Sequence, residues 1–467
     1  MMKLKHQDIT IDPNQPFGNC KLGREKYATI LTSLVNCCAD GFVLAINNKW
    51  GTGKTTFVKM WQQQLKKSGF KTLYFNAWEN DFENGALTAL MSELSTLQER
   101  GTKNLFKKVI EKGAVLSKSA LPILLKAVAL KFLDKDTIKD LLSGFTDDAN
   151  DLLQTQIHEY ASKKIGLIEF KTSLTEFVQK SSKGKPIVFI IDELDRCRPD
   201  YAVDVLEKVK HFFGVPGMVY VLSIDKIQLG NAVRGVYGSD RMNADEYLRR
   251  FIDIEYVIPE PNTELFCKYL FDYFDFSKFF NSHERRQNGA FRNDSEGFMD
   301  LSIQLFNNSK LTLRQQEKIF AHARVALNSF YSKGNVFPEL FLVLIYFKDQ
   351  HQEYYQNIKE QKISIQILMD SFESLMPSSL SGDNLHMYIV IEAQLVFFYN
   401  NYINHRNNNS MYSTDENGAR KFLYHSKLGK EVDSFENIII GYTGRFSTLD
   451  LSFLLEKIDL LENMDII

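Results

Sequence analysis

Residues 42–46 (Phe42-Val43-Leu44-Ala45-Ile46) form a short apolar, β-rich run that leads into Asn47-Asn48-Lys49-Trp50-Gly51-Thr52-Gly53-Lys54-Thr55-Thr56. A helical pattern follows over 56–67. This is a strand, a glycine-bearing loop and a helix, with Gly53, Lys54 and Thr55 filling the last three places of the template Gly-x-x-x-x-Gly-Lys-Ser/Thr. Such a loop wraps a phosphate in consecutive backbone N–H groups while the next helix aims its positive end at it. Trp50, Gly51, Thr52, Gly53 and Thr56 are read as part of that cradle, the glycines letting the backbone come close. Lys54 brings a mobile positive charge and Thr55 a hydroxyl for a divalent cation. Asn48 stands where the template has its first glycine. Asparagine enters the left-handed region more readily than other side chains, so the turn is expected to persist by that route.

A strand that feeds such a loop belongs in a parallel sheet covered on both faces. Four further β-rich runs suit it: Thr72–Asn76, Ile187–Asp192, Met218–Ile224 and 254–258, with amphipathic stretches between them. The gap between 76 and 187 far exceeds the roughly dozen residues a crossover needs. The excess, about 97–182, is read as an inserted helical subdomain, with Pro122 expected to end or kink a helix. Beyond Pro259 and Pro261 strand-like runs give way to helical periodicity rich in Phe and Tyr. The organisation expected is an α/β nucleotide-binding domain over 1–260 with a five-stranded parallel sheet, a helical lid-like region over 261–375, and a C-terminal helical region over 385–467. Residues 281–297 and 404–418 read as exposed polar loops, and 376–384 as a linker.

The third run ends in Asp192-Glu193-Leu194-Asp195-Arg196. An aspartate at the end of a core strand, downstream of a phosphate loop, suits the coordination shell of Mg²⁺. A glutamate directly after it suits a base that takes a proton from the attacking water. Together the two motifs imply ATP and Mg²⁺ as ligands, with Thr55 and Asp192 on the metal and Glu193 as the base. A carboxylate at that position goes with an extra strand between the two motifs, here 218–224, whose end Ser223-Ile224-Asp225 offers polar groups near the terminal phosphate.

These segments together resemble the KAP P-loop NTPases, relatives of the AAA+ and STAND ATPases. The resemblance rests on Trp50–Thr55, Phe75-Asn76-Ala77-Trp78, Asp192–Cys197, Tyr220–Asp225 and Tyr247-Leu248-Arg249-Arg250-Phe251, over about residues 10–350. It implies that Leu22-Gly23-Arg24-Glu25 borders the adenine, with Arg24 as a nucleotide-binding residue. It also implies an arginine that neutralises charge on the terminal phosphate. The candidates are Arg314, at the start of a helix like the sensor arginine of a helical lid, and Arg249, with Arg250 and Arg196 beside them. Bacterial relatives often act in phage exclusion and defence. Many members carry membrane-spanning inserts, but here Lys118, Lys126 and Lys131 interrupt the most apolar stretch, 113–133.

Lys plus Arg number 56 against 58 Asp plus Glu, a net charge of −2, which argues against a protein that coats nucleic acid non-specifically. Five cysteines without a Cys-x-x-Cys pair fit a reduced compartment, and 1–6 do not read as a signal peptide. A cytoplasmic location is expected. The Lys-rich stretch 103–139 suits either a solvated helical face or contact with an anionic membrane surface or a partner. Three functions fit: an ATP-driven switch or assembly ATPase working with partner proteins in antiviral defence, an ATP-dependent nucleic-acid remodeller, and a scaffold that binds ATP without turnover.

Overall fold

The computed structural model describes residues 10–37, 41–82, 85–116, 152–238, 241–375, 382–414, 420–428 and 432–460. They divide into two compact units, 7–261 and 262–467. In the first, five strands alternate with helices: β1 (Phe42–Asn47), β2 (Thr72–Asn76), β3 (Ile187–Asp192), β4 (Met218–Ile224) and β5 (Ile254–Tyr256). The sheet runs β2-β3-β4-β1-β5 and every pair is parallel. Strand β4 therefore lies between the strand that feeds the phosphate loop and the strand that ends in Asp192.

Both faces of this sheet are covered, which is why its strands read as unbroken apolar runs rather than alternating ones. Leu44, Ile46, Val188, Ile190, Val219 and Val221 face the cluster built on α1 (Glu25–Cys37) and α2 (Lys54–Lys67). Their neighbours Ala45, Phe189, Ile191, Tyr220 and Leu222 face the opposite cluster, with α3 (Ala86–Ser95) and the helices that follow. One residue of register slip would exchange the two sets, so packing fixes the register at Asp192.

The insertion contributes α4 (Lys103–Leu116) and α5 (Leu152–Ser182), which run antiparallel. Phe106 meets Phe177 with ring centroids 5.1 Å apart, and Lys112 pairs with Glu169 at 2.9 Å. Pro122 and the lysines beyond 116 lie outside the described residues. No helix among the described residues is long and apolar enough to cross a membrane. The unit closes with α6 (Pro199–Lys208), α7 (Lys226–Tyr237) and α8 (Ala244–Leu248).

The second unit is mainly helical, and many of its aromatic residues are core. Phe271, Phe276, Phe280, Phe298 and Phe320 are buried together, with ring separations of 5.0–6.4 Å. Two expectations fail here. Residues 281–297 are mostly exposed, as expected, but they are not loop: they hold a helix (His283–Arg286), a 3-10 turn (Gly289–Phe291) and the start of another helix (Asp294–Ser309). Arg285 is fully buried; Asp294 and the carbonyls of Ser332 and Gly334 take N–H groups from its two terminal nitrogens, while its Nε finds no partner among the described residues. Of residues 404–418, those from 415 on lie outside the described residues, and 404–414 are not plain loop either, since Tyr412–Thr414 pairs antiparallel with Arg420–Phe422.

Candidate functional site

Strand β1 delivers its last residue to the loop, and α2 begins at Lys54 with Gly53 as its N-cap. Gly51 and Gly53 both have φ of 78°, a region that other side chains enter only under strain. Asn48 does not use that region, contrary to the route expected for it. Its side chain instead bridges to the exit of β5, donating from Nδ2 to the Ile258 carbonyl at 2.8 Å and accepting from the Ile258 N–H at 2.9 Å. This also explains why β5 stops at Tyr256 rather than 258: Ile258 has turned from the sheet to the loop.

The Lys54 side chain is buried and its ammonium bonds the carbonyls of Asn48 and, at 3.1 Å, Lys49. Burial lowers its pKa, while Asp195, Asp225 and Asp192 pull it back up. All three acids are therefore near enough to act on the charge of the loop lysine. The Trp50 indole N–H donates to Asp195, which ties the loop to the segment after β3. Thr52 folds back on the Lys49 carbonyl at 2.8 Å, and Thr55 and Thr56 occupy the first turn of α2. Arg24 comes from the start of α1, is 4% exposed, and reaches the Gly53 carbonyl at 3.4 Å. Its Nε finds no partner among the described residues, and burial lowers its pKa.

At the end of β3, Asp192 is 1% exposed. It accepts from Tyr74 at 2.9 Å and from the Glu193 N–H at 3.0 Å. Asp192 stands in register with Asn76 on β2 and Ser223 on β4. The Ser223 hydroxyl is fully buried and finds no partner among the described residues, so a polar group beside Asp192 is left unsatisfied. Asp225 is the N-cap of α7, one carboxylate oxygen accepting from Ile227 and Gln228.

Glu193 has φ of 60° and ψ of 25°, left-handed for a residue with a full side chain. Strain of this kind clusters at functional positions. Its carboxylate accepts from Arg196 at 2.7 Å and from the Asn76 amide at 3.3 Å. Burial raises its pKa and Arg196 opposes that rise. Arg196, one of the arginines considered for the terminal phosphate, is engaged with Glu193. Arg249 caps the end of α8, is largely exposed, and pairs with Glu246 at 3.5 Å. Arg314 belongs to the other unit, in the first turn of the helix Leu313–Ala326.

Lys54, Trp50, Asp192, Asp195 and Glu193 are thus brought together at one end of the sheet. Sequence reasoning missed Asn76 and Tyr74 as partners of the two carboxylates. The signal available was a polar residue closing an apolar strand, Asn76. An ammonium, a loop whose backbone runs into a helix N-terminus, a hydroxyl at Thr55 and an unsatisfied hydroxyl beside a buried carboxylate fit a nucleoside triphosphate with Mg²⁺.

Fold and site together define a P-loop nucleotide-binding domain with an extra strand between its two motifs. The chain belongs to the KAP family: the model of the KAP family P-loop domain matches residues 24–370. Comparison with curated proteins returns no match. Among solved structures, the chain matches the ORC2 protein of Aeropyrum pernix in its ADPNP and ADP complexes. That match is at 12% identity over 90% of this chain and 94% of that one, with a TM-score of 0.31, too loose to bear on the site.

Proposed function

We propose that this protein hydrolyses ATP, and that turnover drives a switch or assembly cycle with partner proteins in the cytoplasm, in antiviral defence. The observation that carries the chemistry is the pair Asp192-Glu193 at the end of a core strand, with the loop lysine among the same acids. The loop amides from Trp50 to Thr56 and the Lys54 ammonium hold the phosphates, and Arg24 borders the base. Thr55 and Asp192 hold Mg²⁺, which when bound neutralises charge on the phosphate oxygens. Glu193 accepts the proton of the attacking water. Its raised pKa, with Arg196 keeping the carboxylate charged, suits a group that must accept a proton near neutral pH. Defence is the habit of the bacterial relatives that the motifs resemble. Lysines 103, 107, 108 and 112 on α4 are the described part of a surface suited to a partner or to anionic lipid headgroups.

The test separates the two carboxylates. Asp192→Asn lowers Mg²⁺-dependent ATP binding and turnover together. Glu193→Gln keeps ATP bound and lowers turnover about 10²–10⁴-fold, the usual cost of losing a general base. Phosphate release and bound nucleotide are measured side by side. Wild-type turnover in Glu193→Gln removes Glu193 from the role and passes it to Asp195 or Asp225. Arg249→Ala and Arg314→Ala, read in the same assay, decide which of them the reaction needs.

A further inference from the structure

Glu193 is held by two side chains, and both lead to the same neighbour. Asn76 donates to one carboxylate oxygen at 3.3 Å, and its own carbonyl oxygen accepts from the Trp78 N–H at 3.1 Å and the Glu79 N–H at 3.3 Å. Arg196 donates to the other oxygen at 2.7 Å, and its guanidinium lies 5.7 Å from the centre of the Trp78 ring. That is within the range of a cation–π contact. Trp78 itself is 54% exposed, so its indole is not there to fill the core. The segment that carries it is fastened on both sides. The Ala77 N–H donates to the Asp192 carbonyl at 2.9 Å, and Asp81 accepts from the Arg198 N–H and Nε at 2.6 and 2.9 Å.

We propose that Trp78 is a positioning residue for Glu193, acting on it through Arg196. The inference rests on the reading of Glu193 as the base. The left-handed backbone at Glu193 fixes where its side chain starts, and Asn76 and Arg196 fix where it ends. Asn76 is a short amide braced by two backbone N–H groups. Arg196 is long, and the Trp78 ring narrows its choice of rotamers. Removing the ring leaves the amide contact intact and frees Arg196, so the carboxylate loses one of its two restraints.

The experiment uses the full chain. Trp78→Ala is expected to lower kcat about tenfold or more, as loss of alignment does, with KM for ATP unchanged. Trp78→Phe keeps a ring under the guanidinium and restores most of the rate. If Trp78 works through Glu193, the double variant Trp78→Ala/Glu193→Gln is no slower than Glu193→Gln alone. A second readout needs no turnover. The chain has three tryptophans, so 5-fluorotryptophan gives three resonances, and Trp78→Phe identifies the one from Trp78. In nucleotide-free protein, Arg196→Ala and Glu193→Ala both move that resonance. The proposal is overturned if the resonance stays put in both, if Trp78→Ala turns over like wild type, or if the losses in the double variant multiply. Wild-type turnover in Glu193→Gln defeats the underlying reading and the proposal with it. An inactive Glu193→Gln beside an unaffected Trp78→Ala defeats the proposal alone.

Discussion

Replacing Asn48 by glycine restores the phosphate-loop template, and the structure says that it destabilises the protein. The Asn48 side chain makes two half-buried hydrogen bonds to the backbone of Ile258, at 2.8 and 2.9 Å. Each contributes about 0.5–1.5 kcal/mol net. Glycine adds about 0.5–1 kcal/mol through the greater freedom of the unfolded chain. The total is about 1.5–4 kcal/mol. A unit of this size shifts its melting point by about 2–4 °C per kcal/mol, so Asn48→Gly melts roughly 3–16 °C lower. The assay is calorimetric melting of the full chain without nucleotide. Asn48→Asp keeps the acceptor for the Ile258 N–H, loses the donor, and falls between the two. A glycine variant as stable as wild type, or more so, refutes the bridge and shows that backbone freedom is what this position needs.

Lys54→Ala abolishes stabilisation by ATP·Mg²⁺, which for wild type at about 100 times the dissociation constant amounts to ~2.7 kcal/mol of added stability; a wild-type protein that shows no melting shift with millimolar ATP counts against binding altogether. Arg285→Ala strands Asp294 beside an apolar cluster and costs about 3–5 kcal/mol in the second unit, seen as a lower melting point; a change within error would mean that the pair is not intact in solution. Glu392 is fully buried with one oxygen on Ser426 at 2.6 Å, and burial, with Glu373 and Asp370 adding to it, pushes its carboxyl up from 4.5 to about 8. The folded state therefore keeps a proton that the unfolded state releases, so stability is full below about 4.5 and is lost as the pH rises towards about 8. Glu392→Gln flattens that slope in melts taken from pH 5 to 8, and an unchanged slope excludes Glu392 as its source.

The sheet was legible because its strands carry apolar residues on both faces and end in residues of opposite duty, Asn47 before the loop and Asp192 before the base. Local composition therefore reported tertiary position. The loop was legible for a similar reason, since Gly51 and Gly53 are required by their φ values. What was not legible depended on contacts between residues far apart in the chain. Nothing near Asn48 announces Ile258, 210 positions later, and the left-handed explanation was the local one. Nothing near Glu193 announces Asn76 or Tyr74 except that each sits on a strand whose register was unknown until the sheet was assembled. The polar stretch 281–297 misled because a buried arginine reads as a surface charge until its three acceptors are found.

The helix Pro338–Gln350 in the second unit is buried all round, from Leu340 to Phe347. Part of its cover comes from the far end of the chain: Phe453 packs on Phe337, and Asp459 pairs with Lys348 at 2.8 Å. On the ribosome those partners follow the helix by roughly a hundred residues, which at about 5–20 residues per second is on the order of 5–20 s of synthesis. Throughout that interval the nascent chain displays an apolar segment with no charge between Leu340 and Phe347 to discourage association. Faster elongation or a chaperone holding that stretch should each raise the yield of soluble protein. Cutting the chain short of Ser452 should lower it.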